Sequence, residues 1–470
     1  MQQGPGYRSP LDAMKGPREE LLYVICIQTN PNPTKSDLLA TVDVNPSSPT
    51  YSKIIHKTYT ERLHDELHHS GWNVCSSCYK VKECCPVPVR NRLVMPSLGS
   101  NRVYIVDTET DPRKPKIHKV IEASEIDALN CSALHTSHCL PSGEVMISAM
   151  GDANGNGKCD FVLIDACTLK PKGTWIQGNK RPQFNYDFWY QPYHDILVST
   201  EWGIPNVFKK GMKPGDADNY GKSLNFFSYK DRELLQSIDL GKEGTAPLEI
   251  RFLHNPKASE GFVGCAVYSK VFRFYLAGDG KWKAEKVIDI PPKKTSNGEF
   301  IHGLTSDILI SLDDRFLYIN NWIHGDIRQY DITDTKNPRL VGQLFLGGKL
   351  TKDAKDKVVE DPEGKAPVDP VYVKGRRLLG GPQMMQLSLD GKRLYVSSGL
   401  FSPWDRQFYP ETIKTGSFLV KVDVNTVTGG LKLDDDFLVD FGEDPSEPLY
   451  AHEIRYPGGD CTSDIWLADD

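Results

Sequence analysis

The sequence has no long apolar run. Within its 470 residues, no stretch approaches the roughly 20 consecutive apolar residues of a transmembrane helix. The first 20 residues contain Gly, Pro, Lys and Arg without an apolar core, so we expect no secretory signal. A sustained basic run is also missing, and 56 Lys and Arg against 62 Asp and Glu leave a net charge of −6. We therefore expect no nucleic-acid partner.

Cysteine is present but sparse. Eleven cysteines are an odd number, and they are too dilute in a chain of this length for a disulfide scaffold. We expect a cytosolic protein with free thiols. The pair Cys75-x-x-Cys78 is compatible with a redox pair, or with a zinc knuckle completed by Cys84-Cys85. Because the second pair lacks a two-residue spacer, we favour free thiols in a surface loop.

Short strands joined by turns dominate what the sequence does contain. It has 18 Phe, 20 Tyr and 8 Trp, together with 39 Gly and 32 Pro. A unit recurs along the chain: a strand, a turn such as Leu-Asp-Gly-Lys, a second strand, and a third strand ending in Val-x-Val-Asp. Alternating apolar and polar residues in these segments predict half-buried strands. The clearest copies are Ile308–Asn320 with Ile327–Ile332, and Met385–Ser397 with Phe418–Val424.

Six units are complete, and a seventh is divided between the two ends of the chain. It begins at Ala451–Tyr456 and Asp464–Leu467, and its remaining strands are available at Leu21–Gln28 and Leu38–Val44. A shared closing blade removes exposed sheet edges. We therefore predict an all-β fold, a seven-bladed β-propeller of one domain over residues 1–470. The alternative, a string of separate β domains, leaves the terminal strands without partners.

Three segments interrupt the repeat. Residues 204–222 are rich in Gly and Pro and should cover one face of the ring. Residues 349–377 are rich in Lys, Asp, Glu and Pro, which predicts a solvated loop. The first 20 residues should form an extended arm.

Five of the twelve histidines fall on three inner strands that become neighbours when the ring closes. In a propeller the first strand of each blade lines the central channel. That strand carries His68 and His69 in unit one, His135 and His138 in unit two, and His452 in the divided unit. His135 and His138 point to opposite faces of a regular strand, so only one should reach the axis. An all-imidazole set suits copper or zinc; the alternative is separate hydrogen-bonded histidines.

Other inner-strand residues are poorer metal ligands. Trp72 and Trp189 would wall a small pocket or pack in the core, the more common location for tryptophan in a strand. Glu249, Arg251 and Asp307 would relay protons or form a buried ion pair, and we favour the ion pair.

At the level of whole motifs the sequence resembles the selenium-binding protein family, whose members act as methanethiol oxidases. The resemblance covers essentially the whole chain. It rests on residues 13–20, on Asp65–Cys78 with its His-His-Ser-Gly-Trp-Asn core, on His135-Thr136-Ser137-His138, on residues 186–192 and 249–256, and on residues 321–328 and 451–466.

The resemblance implies copper bound by histidines, and oxidation of methanethiol with O2 and water to formaldehyde, hydrogen sulfide and hydrogen peroxide. Combined with the inner-strand argument, it assigns catalysis to His68, His69, His138 and His452, with His135 as the fifth candidate metal ligand. Two alternatives stay open: a hydrolase whose divalent cation activates water, and a non-catalytic selenium- or thiol-binding protein for redox sensing or intracellular transport. Peripheral membrane association and a nuclear pool are also left open.

The sequence departs from the family at one position. The cysteine proposed to bind selenium in the family follows a Ser-Pro-x-Tyr motif, but here Ser48-Pro49-Thr50-Tyr51 is followed by Ser52. Selenium binding by that route is therefore not expected. Cys75 and Cys78 remain as selenium or thiol candidates.

Overall fold

The computed structural model describes residues 4–80, 89–213 and 215–468, and β-strands dominate their regular structure. Within these residues, seven antiparallel sheets have four strands each. Given from the inner to the outer strand, sheet 1 consists of Gly71–Trp72, Arg92–Pro96, Val103–Asp107 and Lys116–Ile121. Sheet 2 consists of Ser132–Cys139, Glu144–Gly151, Gly157–Asp165 and Pro171–Thr174. Sheet 3 consists of Phe188–Gln191, Ile196–Ser199, Ser223–Ser228 and Leu234–Asp239. Sheet 4 consists of Pro247–Phe252, Glu260–Cys265, Lys270–Leu276 and Trp282–Asp289. Sheet 5 consists of Thr305–Ile310, Phe316–Asn321, Asp326–Asp331 and Arg339–Phe345. Sheet 6 consists of Met385–Leu387, Arg393–Ser397, Phe418–Val424 and Leu431–Asp440.

Sheet 7 joins the two ends of the chain. Its inner strand Leu449–Arg455 pairs with Leu21–Gln28, followed by Leu38–Asp43 and Lys53–Tyr59. The predicted division of the closing sheet is thus observed. The strand predicted at Asp464–Leu467 is wrong: the segment is irregular, because its polar groups bind other parts of the chain, as when Asp464 accepts hydrogen bonds from Ser76 and Arg90.

The sheets follow one another around a closed cycle. Each consecutive pair shares an apolar cluster, and the last sheet packs on the first through Tyr23 and Trp72. The other junctions, in order, include Ile105 with Leu134, Phe161 with Phe188, Phe226 with Phe274, Phe262 with Ile308, Tyr318 with Leu394, and Tyr395 with Leu22. The predicted all-β propeller is confirmed.

Burial differs between the middle and the outer strands of the sheets, as the sequence pattern requires. Middle strands such as Val103–Asp107 lie between two neighbouring sheets and are apolar along almost their whole length. Outer strands such as Leu234–Asp239 have one face in water, and their residues alternate between half-buried and exposed.

The two faces of the ring differ because the inserts lie on one of them. The segment 204–222 contains the helix Pro205–Phe208, and Trp404 Nε1, from a second helix at Ser402–Phe408, donates to Phe208 O at 3.1 Å. This second helix was not predicted. The two helices form the core of an aromatic layer, which we call the cap. The described α-helices are Pro10–Ala13, Ala123–Asp127, Pro205–Phe208, Ser402–Phe408 and Thr412–Thr415, with 3-10 turns at Ser76–Lys80, Pro192–His194, Asp216–Asn219 and Lys242–Gly244.

The insert 349–377 is exposed over about half of its residues, as predicted, but it is not a plain loop. Val358–Glu360 completes a three-stranded sheet with Lys293–Thr295 and Phe300–Ile301, and Tyr372–Val373 pairs with Arg376–Arg377. Some of its charges form ion pairs. Glu363 accepts two hydrogen bonds from Arg328, at 2.6 and 2.8 Å.

The N-terminal segment lies against the ring. Ser9 caps the helix Pro10–Ala13, and Ala13 packs into the cluster between sheets 6 and 7. Glu19 binds Arg393 Nε and Nη2 at 2.6 and 2.9 Å, so the segment is anchored by a buried ion pair. No helix in the described ranges is both long and apolar enough to span a bilayer.

Candidate metal centre

Three neighbouring sheets bring four histidine rings together on the channel side. His68 and His69 immediately precede the inner strand of sheet 1, His452 lies within that of sheet 7, and His135 within that of sheet 2. The ring centroid of His68 lies 3.8 Å from that of His452, 5.0 Å from that of His69 and 4.9 Å from that of His135. All four side chains are buried.

Three of these rings have the spacing that a metal ion requires. One nitrogen from each of His68, His69 and His452 lies within 4.8 Å of the other two. Metal–imidazole bonds are about 2 Å long, so donors on opposite sides of one ion lie about 4 Å apart. These residues can therefore hold a metal ion.

Each ring of this group has a buried nitrogen without a hydrogen-bond partner in the part of the chain that the structure describes. These atoms are Nδ1 of His68 and Nε2 of His69, His135 and His452. A buried polar atom left unpaired is costly, and one metal ion would satisfy those of His68, His69 and His452 together. The donor set therefore fits a metal that prefers imidazole.

The second nitrogen of two rings is held by a group behind it. His452 Nδ1 donates to the carbonyl oxygen of Gly399 at 2.7 Å, and His69 Nδ1 lies 3.1 Å from Glu453 Oε1. Such bonds fix the tautomer, so that Nε2 of each ring has a free lone pair directed away from the supporting group.

Burial keeps these imidazoles neutral. It lowers the pKa of His68 and of His69 well below the usual value. The other three rings lower the pKa of His68 further. The pKa of His69 is lowered further by His452 and by the cations Arg455 and Arg251. Burial also lowers the pKa of His452 to about 4. Protons therefore do not occupy the lone pairs near neutral pH, which is the condition for metal binding.

The strand Ser132–Cys139 separates its two histidines. A register shift between Leu134 and Ser137 interrupts the regular alternation. His135 faces His69 with ring centroids 4.0 Å apart, whereas His138 packs edge-on against Phe188 and Trp189, each at 5.0 Å. The structure therefore brings His135, and not His138, into the group.

A layer of buried charges lies beside the histidines. Arg251 pairs with Glu249 and Asp187, at 2.8 Å in each case, so the predicted ion pair between Arg251 and Glu249 is confirmed. Glu249 Oε1 has no hydrogen-bond partner among the described residues and lies 3.8 Å from His69 Nε2. Burial, reinforced by the charge of Asp187, raises the pKa of Glu249 well above its usual value.

Asp307 and Glu453 extend this layer. Asp307 accepts a hydrogen bond from the Met385 N–H at 2.8 Å rather than pairing directly with Arg251, and burial raises its pKa to about 7. Glu453 binds Ser70 Oγ at 2.6 Å and Arg455 Nη2 at 2.7 Å. Sequence reasoning missed Asp187 and Glu453, although Glu453 follows His452 directly and was open to the same inner-strand argument.

An apolar cavity of about 30 Å³ lies over His68. Residues of the inner strands and the cap line it, including Tyr186, Trp202, Phe208 and Phe401. Trp72 and Trp189 are not part of this lining. Trp72 packs in the core between sheets 7 and 1 and donates to Asp460 Oδ1 at 3.0 Å, and Trp189 stacks with the Arg251 cation.

The comparisons with known proteins agree over the whole length. The family model described as 56kDa selenium binding protein (SBP56) matches residues 1–467. The chain belongs to the selenium-binding protein family. Proteins named methanethiol oxidase from Xenopus laevis and Homo sapiens are 57% and 55% identical to it, over 99% of this chain and 98% of each relative.

Solved structures agree as well. The X-ray structure of a hypothetical selenium-binding protein from Sulfolobus tokodaii has a TM-score of 0.89 and 37% identity, with 100% of both chains covered. The periplasmic gluconolactonase of Pseudomonas aeruginosa has a TM-score of 0.56 at 10% identity, over 93% of this chain and 99% of its own. That second likeness shows the fold alone.

The thiols predicted for a surface loop are buried instead. Cys75 and Cys78 lie in the apolar cluster of sheets 2 to 4, and Cys78 Sγ donates to Leu140 O at 3.6 Å. They interact there with Cys139, which sequence reasoning missed; hydrogen bonds with Cys139 and Cys75 lower the pKa of Cys78. The short 3-10 turn Ser76–Lys80 folds the pair inward, which a Cys-x-x-Cys spacing does not reveal.

Two further positions bear on the thiol predictions. Ser52, at the position where the family has its proposed selenium-binding cysteine, accepts a hydrogen bond from Lys374 Nζ at 3.2 Å. Free thiols are found at eight described cysteines. Cys167 is in a disulfide, so the prediction of free thiols is wrong at that residue.

Proposed function

We propose that this chain is a copper-dependent methanethiol oxidase. The reaction converts one molecule each of methanethiol, O2 and water into one each of formaldehyde, hydrogen sulfide and hydrogen peroxide. Relatives at 54–57% identity over nearly the full length carry the name methanethiol oxidase, which supports the activity. The observation that supports a metal-dependent mechanism is the convergence of His68, His69 and His452 with unpaired nitrogens.

In this proposal His68, His69 and His452 hold the copper, with His135 as the fourth imidazole beside them. Copper would supply one-electron chemistry towards O2 and would favour the thiolate form of the substrate. An all-nitrogen donor set supports copper over calcium or magnesium, which prefer oxygen ligands. Within the divalent series the same set also binds copper more tightly than zinc.

The chain itself orients the histidine rings, provides an apolar cavity and supplies a carboxyl group for proton transfer. Gly399 O and Glu453 Oε1 hold the rings of His452 and His69 in place. The cavity over His68 has room for a methyl group, and its apolar lining disfavours bulk water, which would strengthen electrostatic interactions there. Glu249 Oε1 is the nearest unpaired carboxyl oxygen to His69 Nε2, and because its pKa is raised it is a better proton acceptor than an ordinary carboxylate.

Metal analysis combined with oxygen uptake tests the proposal. We expect copper in the purified protein and methanethiol-dependent O2 uptake, with sulfide and formaldehyde formed in equal amounts. H452A should lose both. The matched control is H194A, because His194 lies at a turn and its one hydrogen bond among the described residues is with Lys257 O, at 2.9 Å. Uptake that survives copper removal, or zinc without uptake, would overturn the proposal; a protein with neither would favour the non-catalytic thiol carrier.

We also propose a cytosolic location, supported by the eight free thiols in the described part of the chain. Peripheral membrane association and a nuclear pool belong to the same proposal. Fractionation of cells that express the tagged chain tests all three: recovery only in a secreted or lumenal fraction would contradict them.

A further inference from the structure

Two cavities lie on the capped face, and they differ greatly in size. The inner one, over His68, measures about 30 Å³. The outer one is an open cleft of about 880 Å³, bounded by the cap and by the 349–377 insert. Met212, Ile323, Lys349, Phe408 and Tyr409 are among its lining residues. A substrate that reaches His68 from this cleft must pass from the large space into the small one.

Leu304 is the one residue, of those described around the two cavities, that lines both. It immediately precedes the inner strand of sheet 5 and packs in the aromatic cluster of the cap. Its side chain therefore stands at the boundary between the cleft and the inner cavity.

The backbone of Leu304 is strained. Its φ is +54°, in the left-handed region that a bulky residue rarely adopts. The same φ region is found beside or within the inner strands of sheets 2 and 4, at Ala133 (φ +52°) and Ala246 (φ +57°), and just before His68 in sheet 1, at Glu66 (φ +52°). The conformation is therefore shared by several inner strands. What distinguishes Leu304 is that its side chain lines both cavities.

We propose that Leu304 is a specificity-determining gate between the cleft and the metal centre. It limits the substrates to alkanethiols of one or two carbons, because the inner cavity behind it holds only a very small molecule. The kinetic consequences of this gate depend on the proposed oxidase function. Its steric effect depends only on the two cavities and can be tested separately.

The kinetic test compares methanethiol, ethanethiol, 1-propanethiol and 1-butanethiol by O2 uptake. In L304A, the kcat/KM for 1-butanethiol relative to that for methanethiol should rise at least about tenfold, the effect expected of new apolar contacts for two or three methylenes. L304F should lower kcat/KM for every thiol. The control I323A alters the outer cleft only and should leave the ratios unchanged. An unchanged ratio in folded L304A would overturn the gate.

A binding readout separates the gate from the oxidase proposal. Under argon, where no turnover occurs, 1-butanethiol should raise the melting temperature of L304A and not that of the wild type, because a ligand that binds only the folded state stabilises it. If L304A does not fold, L304G serves instead, since glycine suits a φ of +54°. Absence of O2 uptake by the wild type with methanethiol would count against the oxidase alone. Equal thermal shifts in the wild type and the variant would count against the gate.

Discussion

His452 shows how single residues prepare this site. Its Nδ1 is committed to Gly399 O at 2.7 Å, its Nε2 is unpaired within the described chain, and burial lowers its pKa to about 4. Burial thus removes the proton, and the backbone carbonyl selects the tautomer. A neutral ring with one free nitrogen is the form that binds a metal ion.

Replacement of single histidines should distinguish ligands from neighbours. H452A removes one of the three converging nitrogens, and because loss of a supporting residue alone typically costs about 10–100-fold in metal affinity, loss of a ligand should cost at least as much. H138A should retain its copper, since His138 packs against Phe188 and Trp189. Copper per chain, measured by elemental analysis after dialysis against a weak chelator, checks this. Copper loss in H138A, with retention in H452A, would reverse the assignment.

The buried thiols should be dispensable for the metal. The double variant C75S/C78S should keep its copper, because both cysteines lie in the cluster of sheets 2 to 4 rather than in the histidine group. Some stability should be lost, since serine hydroxyls replace buried sulfur atoms. Copper content and thermal denaturation measure the two effects. A folded double variant without copper would place the thiols in the metal site.

The residue identities of the centre were predictable, but their individual roles were not. Positions on successive inner strands predicted that His68, His69 and His452 would meet. The choice between His135 and His138 depended on a register shift between Leu134 and Ser137, which alternation cannot reveal. The groups behind the rings, such as Gly399 O, come from residues distant in sequence.

Among the elements, the 349–377 insert is held in place by a compact cluster of charges. Burial alone would raise the pKa of Glu363, but hydrogen bonds from Arg328 and Lys293 outweigh it and lower that pKa to about 2. Lys293 also pairs with Asp361. These contacts attach the insert to sheet 5, beside the outer cleft.

Acid should loosen the insert. Because the pKa of Glu363 falls from 4.5 to about 2 on folding, its contribution is complete above about pH 4.5 and is lost as the pH falls towards 2. Hydrogen exchange of residues 349–377, corrected for intrinsic rates, should therefore accelerate between pH 5 and 3, as it should at pH 7 in E363Q. The control E360Q changes an exposed carboxylate of the same insert. Equal protection at pH 5 and pH 3 would contradict this account.

The elements that sequence reasoning missed are those without a repeating pattern. The cap helix Ser402–Phe408 has seven residues, too few for a helical periodicity to stand out. The two- and three-residue strands of the 349–377 insert give no alternation. The repeated sheets, in contrast, were predictable because each copy has the same strand, turn and strand pattern.

For the whole molecule, closure of the ring brings the histidine group together. His452 reaches His68 only because the C-terminal strand Leu449–Arg455 joins the N-terminal strand Leu21–Gln28 in sheet 7. The divided closing unit made this closure predictable from sequence. Folding and metal binding should therefore be coupled.

Burial of neutral imidazoles predicts how the free energy of unfolding depends on pH. An imidazole titrates near 6.5 in the unfolded chain, whereas the pKa of His452 is about 4 in the folded one, so the unfolded chain binds more protons between these values. The copper-free protein should lose about 1.4 kcal/mol of unfolding free energy per pH unit and per such imidazole as the pH falls from 6.5 to 4. Urea unfolding at several pH values measures this, and H452Q should show a shallower slope. A wild-type stability that does not change over this range would contradict the burial of neutral imidazoles.

We expect the metal to lie among the imidazoles where the ring closes. Anomalous diffraction from crystals of the active enzyme, recorded above and below the copper absorption edge, locates it directly. We predict one strong peak within about 2 Å of nitrogens of His68, His69 and His452. A copper peak beside Cys75, Cys78 and Cys139, or no copper peak in crystals of a protein that oxidises methanethiol, would contradict it.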